Sequence, residues 1–122
     1  MSAAEKKRIL LAEDDASMRR FLEVALKRSG YEVLTAEDGL EAIEIALERE
    51  IHAVVADAIM PNFTGFVLCR ILRANEKKKH LPLIILSGLA ADNSNHSAAD
   101  AFLIKDTNLK ERLVAALESL LS

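Results

Sequence analysis

The chain alternates short apolar runs with longer segments in which apolar residues recur every three or four positions. Short apolar runs that end in polar or turn-forming residues are typical of buried strands. Five such runs predict strands at residues 9–12, 31–36, 51–57, 82–86 and 101–104. The third run differs from the others because it ends directly in a carboxylate, Asp57, and Met60-Pro61-Asn62 turns the chain immediately afterwards.

Four other segments have helical spacing. The first covers residues 16–29 and stops at Gly30. Capping residues begin the other three: Asp38 with Glu41 as its partner, in a helix that ends near Arg49; Thr64; and either Asp106 or Thr107. The side chains predicted to face the core are apolar: Met18, Phe21, Leu22, Ala25; Leu40, Ile43, Leu47; Val67, Leu68, Ile71, Leu72; Leu109, Leu113, Leu117, Leu120.

Residues 89–100, between the fourth and fifth strands, lack this clear pattern. The polar side chains from Asp92 to Ser97 compete with a helix for backbone hydrogen bonds. We therefore predict that the fourth helix, which should lie here, is short or loose.

Strands that alternate with helices predict an α/β fold with a parallel sheet and helices on both faces. Right-handed crossovers and one reversal of winding give a doubly wound five-stranded sheet of order 2-1-3-4-5. Ligands of such sheets bind beyond the carboxyl ends of the strands, at the reversal point between strands one and three.

The totals limit the class of protein. A chain of 122 residues fits one domain, 1–122, in which residues 1–7 are expected to be loose. Because the net charge is only −3 and no apolar run reaches membrane-spanning length, we predict neither nucleic acid nor membrane as a partner. The single cysteine, Cys69, fits a reducing and hence cytoplasmic compartment.

Five polar residues stand where predicted strands end: Glu13, Asp14, Asp57, Ser87 and Lys105. Crowded carboxylates repel one another, and a hard divalent cation such as Mg²⁺ resolves that repulsion with oxygen ligands. Glu13 or Asp14, Asp57 and the backbone carbonyl of Ile59 would form a partial shell. Asp57 would keep one oxygen for attack on a phosphoryl donor, while Lys105 and Ser87 neutralise the transferred charge.

In this order the motifs resemble the receiver domain of bacterial two-component response regulators, in its single-domain, CheY-like form. The resemblance covers nearly the whole chain and rests on Ile9-Leu10-Leu11-Ala12-Glu13-Asp14-Asp15, Val54-Val55-Ala56-Asp57, Met60-Pro61, Gly65, Ser87-Gly88 and Lys105. It implies a flavodoxin-like fold.

The resemblance also implies roles for these residues. Asp57 is the expected phosphate acceptor, Glu13 and Asp14 hold Mg²⁺, Ser87 is the switch hydroxyl and Lys105 binds the phosphate. Phe102 falls where the family carries its rotating aromatic residue. The donor would be a histidine kinase or a histidine phosphotransfer protein, and the output would be protein–protein contact or phosphorelay. Such a protein is not an enzyme with a separate substrate, although it promotes its own phosphorylation and slow dephosphorylation.

Departures from the family pattern leave an alternative open. Asp106 stands where proline usually follows the lysine, so we expect a trans peptide bond, and the added acid could draw Lys105 away from the phosphate. The polar segment before the fifth strand is also short. The alternative is a receiver-like binding module with altered or lost phosphate switching. A phosphohydrolase is a weaker alternative because Ile59 stands where it would need a second aspartate.

Each residue also has a simpler explanation when it is considered alone. Asp57 would be a turn aspartate, and the acids 13–15 would cap a helix, which is the only role expected for Asp15. Ser87 would form a turn, Lys105 would be a surface lysine and Phe102 a core aromatic residue. Only the ordered combination favours a common site.

Overall fold

The computed structural model describes residues 5–88 and 98–122. In chain order these form β1 (Arg8–Ala12), α1 (Ala16–Arg28), β2 (Glu32–Ala36), α2 (Gly39–Glu48), β3 (Ala53–Asp57), α3 (Gly65–Arg73), β4 (Leu83–Ser87), β5 (Ala101–Ile104) and α4 (Leu109–Leu121). The five predicted strands and the four helices with clear spacing are present. The prediction of a short or loose helix before β5 falls mainly on residues 89–97, which lie outside the described ranges.

All neighbouring strands are parallel, and their order is β2-β1-β3-β4-β5. This confirms the predicted doubly wound sheet. The strands β1 and β3 lie side by side, with Ala12 opposite Ala56. The next residue of each chain segment is Glu13 or Asp57, so the sheet register brings these two acids out together at the edge formed by the carboxyl ends.

The alternation of side chains along each strand divides the core into two layers. Leu10, Val54 and Ile85 lie with buried residues of α2 and α3 on one face of the sheet. Leu11, Val55 and Ile84 lie with α1 and α4 on the other face. Both faces of the central strands are therefore covered, which explains why these strands are apolar at nearly every position.

Three side chains that we predicted to face the core are instead largely exposed: Phe21, Leu40 and Leu47, at 52%, 47% and 41%. The apolar stripes of α1 and α2 are wider than the faces that the helices bury. In α2 the small residues Ala42 and Ala46 contact the sheet side, which leaves the two leucines at the margins.

Phe21 lies instead on the wall of a groove between α1 and α4, with a volume of about 730 Å³. The buried face of α1 is formed by Leu22, Ala25 and Leu26. The prediction that Phe21 faces the core is therefore wrong, because the groove between the two helices leaves its side chain open to solvent.

The helix starts follow capping chemistry. Asp15, Asp38 and Thr64 accept hydrogen bonds from Met18, Glu41 and Val67 N–H groups at 2.9, 2.8 and 3.2 Å. Glu41 does not close the reciprocal bond to Asp38, because its carboxylate accepts from the N–H of Glu37.

The last helix starts later than we predicted. Its N-cap is Asn108, which makes no side-chain capping bond. The carboxylate of Asp106 instead accepts from the Asn108 N–H at 2.9 Å, one step before the helix. Asp106 thus shapes the approach to α4 and is not its cap.

Cys69 lies buried on α3, and burial raises the pKa of its thiol to about 12. Within residues 5–88 and 98–122, the longest apolar helix is still too short to cross a membrane.

The carbonyl of Asp57 leaves no room for a side chain at Gly65. A Cβ there would lie 2.4 Å from the Asp57 backbone oxygen. We predict that Gly65→Ala lowers the free energy of unfolding by about 1–3 kcal/mol, because backbone must move to relieve the overlap. Urea unfolding measures this loss. Gly88→Ala is the matched control, since among residues 5–88 and 98–122, its chain neighbours apart, no atom lies within 4 Å of its added Cβ. Equal stability of the two variants would contradict the prediction.

Candidate carboxylate–lysine site

The ammonium of Lys105 lies between two carboxylates from different strands. Its Nζ is 2.7 Å from Oε1 of Glu13 and 2.9 Å from Oδ2 of Asp57. Glu13 follows β1, Asp57 ends β3 and Lys105 follows β5. Parallel strands end at one edge of the sheet, which is why residues 92 and 48 positions apart in sequence meet there.

Asp14 completes a group of three acids. Carboxylate oxygens of Glu13, Asp14 and Asp57 lie within 4.8 Å of one another. Glu13 is fully buried and Asp57 is 8% exposed, whereas Asp14 is exposed. The group is therefore closed towards the sheet and open to solvent on the Asp14 side.

Burial makes the negative charge at this site costly. Burial raises the pKa of Glu13 to about 7, and the neighbouring Asp57 adds to the increase, while Lys105 partly opposes it. For Lys105, burial lowers the pKa, but the hydrogen bonds to Glu13 and Asp57 outweigh burial and the net shift is upward. The group thus holds three carboxyl groups and one ammonium, which contacts two of them, and this leaves the site attractive to a further cation.

The donor set fits Mg²⁺. All three side chains offer carboxylate oxygens, the ligands that this hard cation prefers, and the exposed side leaves space for the water that it retains. No soft sulfur or imidazole ligand is part of this group. The residues present therefore suit the metal that the sequence predicts.

The loop after β3 is held by backbone hydrogen bonds. The N–H of Ala58 donates to the Leu86 carbonyl at 2.7 Å, and Gly65 donates to the Ala58 carbonyl at 3.0 Å. The N–H of Ile59 points to Oδ1 of Asp57 at 3.4 Å, a long contact. The side chain of Ile59 is 69% exposed beside the site. The loop thus places an apolar side chain, not an acid, two residues after Asp57.

Ser87 lies on β4, next to β3, and Phe102 lies on β5, the following strand of the sheet. Ser87 is the last residue of β4 and is buried, and its carbonyl accepts from the Lys105 N–H at 2.7 Å. Phe102 in β5 stacks on Phe66 of α3, with ring centroids 6.2 Å apart. Ser87 therefore lies at the same edge as the acids, while Phe102 packs within the layer of α2 and α3.

Asp106 does not draw Lys105 away from the acids, contrary to the concern raised by the sequence. Its carboxylate binds Arg112 of α4, and Lys105 stays on Glu13 and Asp57. The described residues contain no cis peptide bond, so the expected trans bond between Lys105 and Asp106 is confirmed.

Two arginines near the site were missed from sequence. Arg19 of α1 donates to the Glu13 carbonyl at 2.8 Å. Arg112 donates to the Ile104 carbonyl at 2.7 Å, next to Lys105. Arg19 follows its target by six residues and Arg112 by eight, and these spacings gain meaning only once the direction of each helix is known.

The sequence profile of the family described as "Response regulator receiver domain" matches residues 9–118. The chain belongs to this family. Its site therefore lies in a receiver domain, a module of signal transduction.

A curated relative shows the same kinship. The "Probable transcriptional regulator ycf27" of Cyanophora paradoxa is 40% identical over 120 residues, which is 95% of this chain and 48% of the relative. The chain thus spans about half the length of the curated relatives of this kind. Among solved structures, the response regulator TrrA of Thermotoga maritima, in complex with Mg²⁺-BeF, is 31% identical with a TM-score of 0.87. That likeness covers 94% of this receiver domain and 99% of TrrA.

We predicted that nucleic acid is not a partner, and this prediction is wrong because relatives of the chain include a DNA-binding regulator. The "DNA-binding dual master transcriptional regulator RpaA" of Synechocystis is 29% identical over 110 residues, which is 87% of this chain and 46% of that protein. The net charge of a receiver domain carries no information about regions of a longer protein that contact DNA. The net charge of −3 therefore describes the receiver domain alone.

The raised pKa of Glu13 predicts a pH-dependent stability. An acid whose pKa rises from 4.5 to about 7 on folding binds protons more tightly in the folded state. The free energy of unfolding should therefore fall as pH rises from about 4.5 to 7 and level off above 7. Urea unfolding at pH 5 to 8 without divalent cations measures this, with Glu13→Gln subtracting the contribution of all other groups. The prediction fails if the wild type minus variant difference is flat across this range.

Proposed function

We propose that residues 1–122 form one receiver domain that accepts a phosphoryl group on Asp57 from a histidine kinase or a histidine phosphotransfer protein. Mg²⁺ is the proposed cofactor, and the reaction is assigned to the cytoplasm, where the free thiol of Cys69 stays reduced. The observation that carries the proposal is the contact of Lys105 Nζ with both Glu13 and Asp57, beside the exposed Asp14.

Asp57 is the proposed nucleophile. One carboxylate oxygen attacks phosphorus and forms a new P–O bond, while the bond between phosphorus and the donor breaks and the leaving group keeps the electron pair. The product is an aspartyl phosphate. The near-complete burial of Asp57 favours this step because a carboxylate with few waters around it has little solvent to shed before attack.

The surrounding residues would neutralise the transferred group. Lys105, already 2.9 Å from Asp57, needs only a short movement to contact the phosphoryl oxygens. Glu13, Asp14, Asp57 and the carbonyl of Ile59 would hold Mg²⁺. Bound there, Mg²⁺ would supply positive charge to the equatorial oxygens and shield the acids from one another. Catalysis is then mainly positioning and charge compensation, performed by the domain on itself and not on a separate substrate.

Ser87 and Phe102 are the proposed switch residues. Ser87 is the last residue of β4, where the chain leaves the sheet, so its hydroxyl can turn towards a phosphoryl group on Asp57. The bond from the Lys105 N–H to the Ser87 carbonyl links the ends of β4 and β5. A shift of Ser87 would therefore move β5, which carries Phe102, the stacking partner of Phe66 in α3. The surface around these two rings would then change the populations of its two conformations, with and without phosphate on Asp57.

The proposed output is phosphorylation-dependent protein–protein contact or phosphorelay. The curated relatives named as transcriptional regulators favour control of an effector region or partner protein. In the alternative, a binding module with lost phosphate switching, Asp106 would compete for Lys105. The ion pair of Asp106 with Arg112 removes that particular argument for the alternative.

Phosphorylation is the direct test. With Mg²⁺ and a small acyl phosphate as donor, we expect a mass increase of one phosphoryl group in the intact protein. The increase should vanish in Asp57→Ala and without Mg²⁺. Asp38→Asn is a matched control, since this aspartate also follows a strand at the same edge and asparagine caps helices equally well. No adduct with acyl phosphate or with any phosphorylated kinase would overturn the proposal.

We predict that Ile59 slows the hydrolysis of the aspartyl phosphate at Asp57. Its exposed apolar side chain beside Asp57 offers no hydrogen bond to an attacking water. We expect Ile59→Asn to shorten the lifetime of the aspartyl phosphate about tenfold, because the amide can orient that water. The phosphorylated fraction is followed by mass spectrometry after the donor is removed. Ile59→Leu is the control, and an unchanged lifetime in the asparagine variant would count against this role.

A further inference from the structure

The strand that leads to Lys105 is less constrained than the strands that lead to Glu13 and Asp57. β5 is four residues long, lies at the edge of the sheet and is only half-buried throughout. β1 and β3, in contrast, each have a strand on both sides. Lysine also has a long, flexible side chain. A precise position of its ammonium therefore requires additional constraint on the backbone around residue 105.

Arg112 supplies contacts on both sides of Lys105. Its Nη2 donates to the carbonyl of Ile104 at 2.7 Å and to the carboxylate of Asp106. These are the residues directly before and after the lysine. Arg112 is in the first turns of α4, so its guanidinium ties the end of the edge strand to the helix that follows.

Asp106 extends this connection into the loop. Besides binding Arg112, its carboxylate accepts from the Asn108 N–H at 2.9 Å, and its carbonyl accepts from the Leu109 N–H at 3.1 Å. Lys105 itself bonds through its N–H to Ser87 on the other side. The backbone of residue 105 is thus held from β4 and from α4.

This network has little to do with holding α4 in place. The ion pair is partly solvent-exposed, with side-chain exposures of 38% for Arg112 and 51% for Asp106, and such pairs add little to global stability. The helix is anchored by the buried Leu109, Leu113 and Leu117. Loss of the guanidinium should therefore leave the fold intact and loosen the segment that carries Lys105.

We propose that Arg112 is a positioning residue for phosphoryl transfer, which holds Lys105 over Asp57 by clamping Ile104 and Asp106. This inference rests on the proposed function. It assigns Arg112 an effect that acts only through Lys105, and this dependence is what an experiment can measure.

The test is a double-mutant cycle on the rate of phosphorylation by an acyl phosphate with Mg²⁺. We expect Arg112→Ala to slow phosphorylation about tenfold, and to have no further effect when Lys105 is already alanine. Lys110→Ala, which removes an exposed charge from the same helix, should leave the rate unchanged. Arg112→Lys, which keeps the positive charge but not the guanidinium nitrogen that binds both Ile104 and Asp106, should recover part of the rate. Thermal unfolding establishes that each variant is folded.

The affinity for Mg²⁺ is a second readout. Loss of the Lys105 position should tighten Mg²⁺ binding, whereas general damage to the fold should weaken it. The Lys105 ammonium competes with the cation for Glu13 and Asp57. Arg112→Ala should therefore tighten Mg²⁺ binding about threefold, but only while Lys105 is present. Amide chemical shifts during a Mg²⁺ titration report the affinity, again with Lys110→Ala as the control. General destabilisation would weaken the binding instead.

The outcomes separate the two claims. Equal slowing by Arg112→Ala with and without Lys105, or no slowing at all, overturns the positioning role while the wild type is still phosphorylated. If the wild type takes no phosphoryl group, the proposed function fails, and with it any role of Arg112 in phosphoryl transfer. The Mg²⁺ titration then decides only whether Arg112 positions Lys105 on the acids. Tighter binding that depends on Lys105 then supports the role, and an unchanged or Lys105-independent affinity rejects it.

Discussion

The repulsion between carboxyl groups at the end of a parallel sheet is the constraint on which the site depends. The register of β1 against β3 brings Glu13 and Asp57 out side by side, and burial of Glu13 removes the water that would screen them. Such an arrangement is stabilised by a cation or by a proton on one of the acids, and the raised pKa of Glu13 reflects this. Lys105 provides part of this compensation from a third strand, so the acids, the lysine and the order of the strands have to be explained together.

Charge compensation by a lysine also makes the arrangement adjustable. If counter-charges within the fold balanced the acids completely, the site would have no net attraction for an added cation. The exposed Asp14 and the single ammonium keep the group short of neutrality on its solvent side. The site therefore keeps an excess of negative charge. The sheet and helices that hold it are stabilised by two aliphatic core layers, which do not depend on these charges.

Much of this could be predicted from the sequence because strand ends are marked by composition. The apolar runs that lead to Glu13, Asp57 and Ser87 fixed both the strands and the polar residues that terminate them, and parallel topology then placed those residues at one edge. The inward faces of the helices were harder to predict. Phe21 and Leu40 belong to apolar stripes wider than the buried faces, and the angle between packed helices decides which part of a stripe is covered.

Long-range side-chain contacts could not be predicted in the same way. Arg112 and Arg19 bind backbone carbonyls, and a carbonyl leaves no trace in the sequence. The partner of Asp106 was equally hidden, because sequence adjacency suggested Lys105 while the path of the loop turned the carboxylate to α4. The error about nucleic acid has a different origin, since charge was counted on a module that spans about half of its curated relatives.

The burial of Cys69 has a practical consequence for the study of this domain. The sequence contains one thiol, and its raised pKa of about 12 keeps it in the unreactive protonated form at neutral pH. A cysteine introduced on an exposed helix face would therefore take up a spin label or fluorophore selectively, with the natural thiol left in the core. Distances between such probes can be measured without first removing a residue that fills the layer under α3.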